Sequence, residues 1–201
     1  MTDATVAYLA LGDSFTIGTG TSPDVAFPAV LVRLWRDQGR SVVLTNPAMN
    51  GYTTDDLIAK ELPLAARVRP GLVTLLVGAN DIVRGHDEGR YRDQLRSIHA
   101  GLRSQGVRAH DVVVLPQPYW SASPSAAGFG DPRALEETID RFNQIARDEA
   151  ERAGSRYIDL SPLMRTQAEQ RMFAPDGLHP SGEAHAQWAT ALATTLLTSA
   201  P

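Results

Sequence analysis

Five short apolar runs, separated by stretches with helical periodicity, constrain this chain more than any other feature. The runs are residues 5–11, 41–45, 72–77, 111–115 and 156–160. Short continuous apolar runs suit strands buried on both faces. Between them, apolar residues recur three and four apart. One stretch carries Phe27, Val30, Leu31, Leu34 and Trp35; another carries Tyr91, Leu95, Ile98 and Leu102. A third carries Leu135, Ile139, Phe142, Ile145, Ala146 and Ala150, and a last one, starting near Ser181, carries Ala184, Trp188, Ala191, Leu192 and Leu196. Strands alternating with helices predict a parallel sheet covered by helices on both faces. The expected fold class is therefore α/β: a single domain over residues 1–201, in three layers (α/β/α). Its sheet has five parallel strands in the order 2-1-3-4-5.

Local punctuation agrees. Gly39 ends the first long helix, and Thr53 with Asp56 three positions on reads as a capping box. The helix it opens carries Leu57, Ile58, Leu62 and Ala65 and is broken at Pro70-Gly71. Asp131-Pro132 is a helix start, cap then first-turn proline, and Gly154 ends that helix. Residues 116–131 form a long loop with Tyr119, Trp120 and Phe129 set in it. A loop this long in a compact domain is often functional or mobile.

Charge and composition remove several functions. A net charge of −4 gives no general attraction to nucleic acid or an anionic membrane. The absence of cysteine excludes disulfides, thiol catalysis and Cys-based metal sites. No run of about 18 apolar residues is present, so no membrane span is expected. No basic segment and leader-like core precede the first strand, and the expected location is cytoplasmic. His86, His99, His110 and His185 show no ligand-like grouping, and neither a metal nor a cofactor is expected.

In an open α/β sheet, sites form beyond the carboxyl ends of the strands, where strand order reverses. Four loops reach that rim in the expected topology: Gly12-Asp13-Ser14, residues 46–51, Gly78-Ala79-Asn80-Asp81 and Asp176-Gly177-Leu178-His179. A serine hydroxyl is a weak nucleophile and needs an adjacent general base. Histidine suits that task, given an acceptor on its other ring nitrogen. Asp176 lies three residues before His179, and Pro175 and Gly177 favour a tight turn between them. Asp159, at the end of the fifth strand, is the rival acid; the alternative for it is to cap the following turn. An oxyanion formed on Ser14 would need preorganised donors. The candidates are the N–H of Ser14, the N–H of Gly51 and the side-chain amide of Asn80. Asp13 and Asp81 read as acceptors for loop backbone. Tyr119 and Trp120 either line an acyl pocket or anchor the long loop.

These four stretches, in this order, resemble the four sequence blocks of the SGNH hydrolases, also called the GDSL esterase/lipase family. The resemblance spans residues 12 to 179. Its first, third and fourth blocks are specific together, whereas the second rests on Gly51 alone. It implies a flavodoxin-like fold and metal-free ester hydrolysis through an acyl-enzyme. It also implies roles: Ser14 the nucleophile, His179 the base, Asp176 its orienting acid, and Gly51 and Asn80 oxyanion donors. Phe15 stands where the family's name-giving motif has leucine, a position without chemistry of its own. The implied partner is a small-molecule ester, short acyl or lysophospholipid-type.

The same residues would serve acyl transfer to an alcohol or sugar. A non-catalytic binding module would be expected to lack part of the constellation, and nothing is missing here. A flavin or nucleotide binder would need a phosphate-cradling loop; residues 18–22 (Gly-Thr-Gly-Thr-Ser) are small but lack that spacing. No Gly-x-Ser-x-Gly elbow is present, which argues against the α/β-hydrolase fold. The oligomeric state is not legible.

Overall fold

A computed structural model describes residues 5–198; the remaining ends of the expected 1–201 domain lie outside the described residues. Strands β1 (Val6–Gly12), β2 (Val42–Thr45), β3 (Leu72–Leu76), β4 (Val112–Val114) and β5 (Arg156–Tyr157) form one sheet. The order is β2-β1-β3-β4-β5 and the four pairings are parallel. Both are as predicted.

Residues of one strand alternate between two cores. Tyr8 and Ala10 face a layer with Phe27, Leu31, Trp188 and Leu192, while Leu9 and Leu11 face Leu95, Ile98, Phe142 and Ile145. Both faces of β1 are therefore apolar, which is why its sequence shows no polar alternation. Helices α2 (Phe27–Asp37) and α9 (Gly182–Thr198) cover the first face, and α6 (Glu88–Ser104) and α7 (Pro132–Ala153) the second. Ala191, expected in the core, is only half-buried. No helix among the described residues is long and apolar enough to cross a membrane.

Three elements depart from expectation. The helix after β2 is not continuous. A first turn, α3 (Thr54–Asp56), has the predicted Thr53–Asp56 capping box. It widens to a π-turn at Leu57–Glu61, tightens to a 3-10 turn at Leu62–Leu64, and resumes as α4 (Ala65–Val68). Pro63 has no N–H to donate, and its ring crowds the carbonyl four residues back. The widened turn places Glu61 in the interior, 1% exposed.

The fourth and fifth strands are also shorter than their apolar runs. Pro116 cannot donate to a ladder beyond Leu115. After Ile158 the chain turns at Asp159, whose carboxylate accepts the N–H of Ser161 at 2.9 Å ahead of α8 (Ser161–Glu169). Residues 116–131 contain two 3-10 turns, at Trp120–Ala122 and Ala126–Phe129. The loop is pinned at its start, where buried Asn143 bonds both the N–H and the C=O of Gln117 at 2.7 and 3.1 Å.

Candidate active site

β1 ends at Gly12, and Asp13 caps the single-turn helix α1 (Ser14–Ile17) by accepting the Phe15 N–H at 3.0 Å. Ser14 thus occupies the first helical position, where the backbone N–H has no intrahelical partner. Its side chain sits at the rim of the sheet, in a cleft of about 330 Å³. Gly51, Asn80 and His179 line the same cleft. The four loops predicted to reach one rim do meet there.

The Asp176–His179 turn is built by its own acid. Asp176 Oδ1 accepts the N–H groups of Leu178 and His179 at 2.9 and 3.0 Å. Its Oδ2 lies 2.7 Å from His179 Nδ1. Burial works to raise the Asp176 carboxyl, but these two N–H groups and the imidazole hold it below the usual carboxylate range. An ionised carboxylate only accepts, so Nδ1 is the donor, and in the neutral ring Nε2 presents a lone pair. Neither Nε2 nor the Ser14 hydroxyl is engaged elsewhere among the described residues. The Phe15 ring packs edge-on to the imidazole, 5.7 Å between centroids. The position where the family motif has leucine therefore walls the histidine. The rival acid, Asp159, pairs with Arg147 and caps the turn before α8.

On the opposite wall, one N–H of the Asn80 amide donates to the Tyr52 carbonyl at 2.9 Å, leaving the second N–H uncommitted. Gly51 has φ +84°, a conformation that side chains disfavour, and its carbonyl accepts from Arg84 Nη2 at 2.9 Å. Asp81, fully buried, accepts the Thr54 N–H at 3.0 Å and lies 2.9 Å from His86 Nδ1. It ties the loop carrying Asn80 to the start of α3, just after Gly51.

Beneath Ser14 the interior is acidic. Burial, with the nearby Asp81 carboxylate, pushes the Asp13 carboxyl up to about 7. Burial, with Asp13 and Asp56 nearby, pushes Glu61 up to about 8 against the N–H of Gly12, which it accepts. No group of three or more His, Asp or Glu side chains among the described residues could hold a metal ion.

Residues 10–187 match the model of the GDSL-like Lipase/Acylhydrolase family. The chain belongs to that family. As a carboxylic ester hydrolase of this kind it is similar to the esterase TesA of Pseudomonas aeruginosa, 24% identical over 179 residues, 89% of this chain and 81% of the relative. An arylesterase of Vibrio mimicus is 25% identical over 183 residues, 90% of this chain and 83% of the relative. A crystal structure of TesA superposes with a TM-score of 0.76 at 24% identity, covering 94% of this chain and 97% of that one.

Trp120 and Tyr119 part company in this acylhydrolase. Trp120 lines the cleft, with Phe129 edge-on to it at 5.5 Å. Tyr119 does not line the cleft. Its hydroxyl lies 2.8 Å from Asp140, and the Arg165 guanidinium covers its ring at 3.9 Å. Of the two uses the sequence left open for Tyr119, the structure places it at the anchoring one.

Several cleft residues escaped the sequence reading. Val83 and Leu178 complete an apolar wall with Trp120 and Phe129. Behind the cleft, Glu61 accepts the Gly12 N–H next to the Ser14 turn, and Gly20 lies against Asp176. Glu61 has the look of a solvent-facing helix residue, and no spacing rule announces a π-turn. Gly20 sits in the small-residue stretch 18–22, the one signal that a close approach was needed there.

Proposed function

We propose that the chain hydrolyses esters through an acyl-enzyme on Ser14. The observation that carries this reading is the 2.7 Å contact of Asp176 Oδ2 with His179 Nδ1 at the rim of the cleft that Ser14 also lines. His179 Nε2 takes the proton of Ser14 Oγ as that oxygen attacks the ester carbonyl. The negative charge on the former carbonyl oxygen is met by the N–H groups of Ser14 and Gly51 and the free N–H of Asn80. The imidazolium formed is stabilised by ionised Asp176 and returns the proton to the leaving alcohol. Water, deprotonated by His179, then attacks the acyl-enzyme; the acid leaves and Ser14 regains its proton.

The cleft favours an uncharged, apolar group beside the carbonyl. Val83, Trp120, Phe129 and Leu178 supply its wall, and His179 is the one titratable side chain among its lining residues. Its volume, about 330 Å³, lies at the small end for ligand sites. Short acyl esters fit this description best, with lysophospholipid-type esters as the longer-chain members of the class.

A fluorophosphonate probe and a chromogenic acetate or butyrate ester test the reading on wild type beside Ser14→Ala. Labelling and turnover should disappear together, turnover by roughly a million-fold. Equal labelling of wild type and variant would remove Ser14 from the mechanism.

A further inference from the structure

A second, much smaller cavity of about 20 Å³ lies on the far side of the cleft wall. Trp120 and Leu178 line both spaces. Beyond them the cavity is bounded by Met164, Met172, Phe173 and Trp188. Among its polar neighbours, only the Trp120 indole N–H is left without a partner among the described residues. Gln167 donates to the Ala184 carbonyl and to Gln187 and accepts from Trp188 Nε1, at 3.3, 2.8 and 2.7 Å. The Tyr119 hydroxyl is held by Asp140. Volume alone would admit one water molecule, but a water needs two or more polar partners, and an apolar void stays dry. Methionine walls re-pack readily around a new occupant.

We infer that Trp120 is the stop that limits how long an ester chain the site accepts, and that the apolar cavity behind it is the blocked continuation of the cleft. The occupant it would take is the hydrocarbon arm of the ester held at Ser14, either the acyl chain or the alcohol chain. This rests on the serine-esterase reading above. Trp120 is 3% exposed, and the cavity behind it is walled by side chains that bury a methylene chain as well as they bury one another. Removing the indole joins two spaces that the present wall keeps apart.

Two substrate series test this: p-nitrophenyl esters from acetate to decanoate, and acetate esters of alcohols from ethanol to octanol. Both are run on wild type, Trp120→Leu, the milder Trp120→Phe, and Trp120→Leu combined with Ala168→Met, whose larger side chain refills the cavity that Ala168 also lines. In one series, the ratio of kcat/KM for the long ester to that for the short one should rise about tenfold or more in Trp120→Leu, about 1.4 kcal/mol of differential binding. The series that responds identifies the arm. Trp120→Phe should shift the same way by less, and it carries the test if Trp120→Leu does not fold. The refilled double variant should return toward the wild-type ratio, and Ala168→Met alone should leave the ratio unchanged because Trp120 already seals the wall. Unchanged ratios in both series for the folded Trp120 variants would overturn the inference while leaving the esterase reading standing. A wild-type protein that neither labels with fluorophosphonate nor turns over acetate would sink that reading, and this inference with it.

Discussion

The carboxylate of Glu61 accepts the backbone N–H of Gly12 at 2.9 Å, two residues ahead of Ser14. A buried acid from a π-turn thus holds the end of the strand that leads into Ser14. Among the described residues no second partner satisfies its other oxygen, and burial keeps the proton on it up to about pH 8. Asp13, next along the chain, is held protonated to about 7 by the same interior.

These raised values set the sign of a pH effect. An unfolded carboxyl releases its proton near pH 4. From about there up to about pH 8, the folded protein holds protons that the unfolded chain has lost. The contribution of Glu61 and Asp13 to stability therefore falls as pH rises across that window and levels off above it. Glu61→Gln keeps an acceptor for Gly12 and removes one titration. Its thermal midpoint should exceed that of wild type by a few degrees near pH 8.5, with the advantage gone near pH 5. Parallel melting-point curves for the two proteins would contradict the assignment.

Gly20 stands behind Asp176. A Cβ there would lie 2.6 Å from Asp176 Oδ2 and 2.9 Å from the Ala174 side chain. Gly20→Ala should displace the carboxylate and lower kcat/KM about ten- to a hundredfold. In an Asp176→Ala background the same change should cost almost nothing, because the group it acts through is gone. Equal losses in both backgrounds would mean that Gly20 acts on stability alone, through its φ of +84°.

Asn80 and Arg84 prepare the opposite wall. Asn80→Ala should lower kcat about a hundred- to a thousandfold with little change in KM, the pattern of a donor used only in the transition state. Arg84→Met frees the Gly51 carbonyl and should cost about tenfold in kcat. A rise in KM at constant kcat would reassign either residue to ground-state binding.

Asn143 holds both polar groups of the Gln117 backbone. Asn143→Ala orphans a buried N–H and a buried C=O, a loss of about 2–4 kcal/mol. For a chain of this length that lowers the melting temperature by roughly 5–10 °C. Limited proteolysis should then cut first within residues 116–131. A cut elsewhere, with the loop intact, would show that Asn143 does not anchor it.

Much of this protein is legible in one dimension. The three-layer architecture follows from alternation because continuous apolar runs such as Leu9 to Leu11 can be buried only between two helical layers. The pairing of Asp176 with His179 is local, three residues apart in a turn the acid itself caps, so spacing and chemistry reveal it. The Thr53–Asp56 box and the Asp131-Pro132 start are local for the same reason.

Long-range contacts decided the rest. That Asp159 pairs with Arg147 of α7 is not written in its local spacing. Tyr119 and Trp120 are neighbours in sequence with the same apolar character, and only the positions of Asp140, Arg165 and Phe129 sent one to an anchor and the other to the cleft. Glu61 needed a π-turn to reach Gly12, 49 residues away, and Gly20 needed the closing turn from the other end of the chain. Residue type and short-range spacing are written in the sequence, so the chain alone determined which chemistry was available. The tertiary structure decided what surrounds that chemistry, because burial and contact between distant segments arise only when the sheet is assembled.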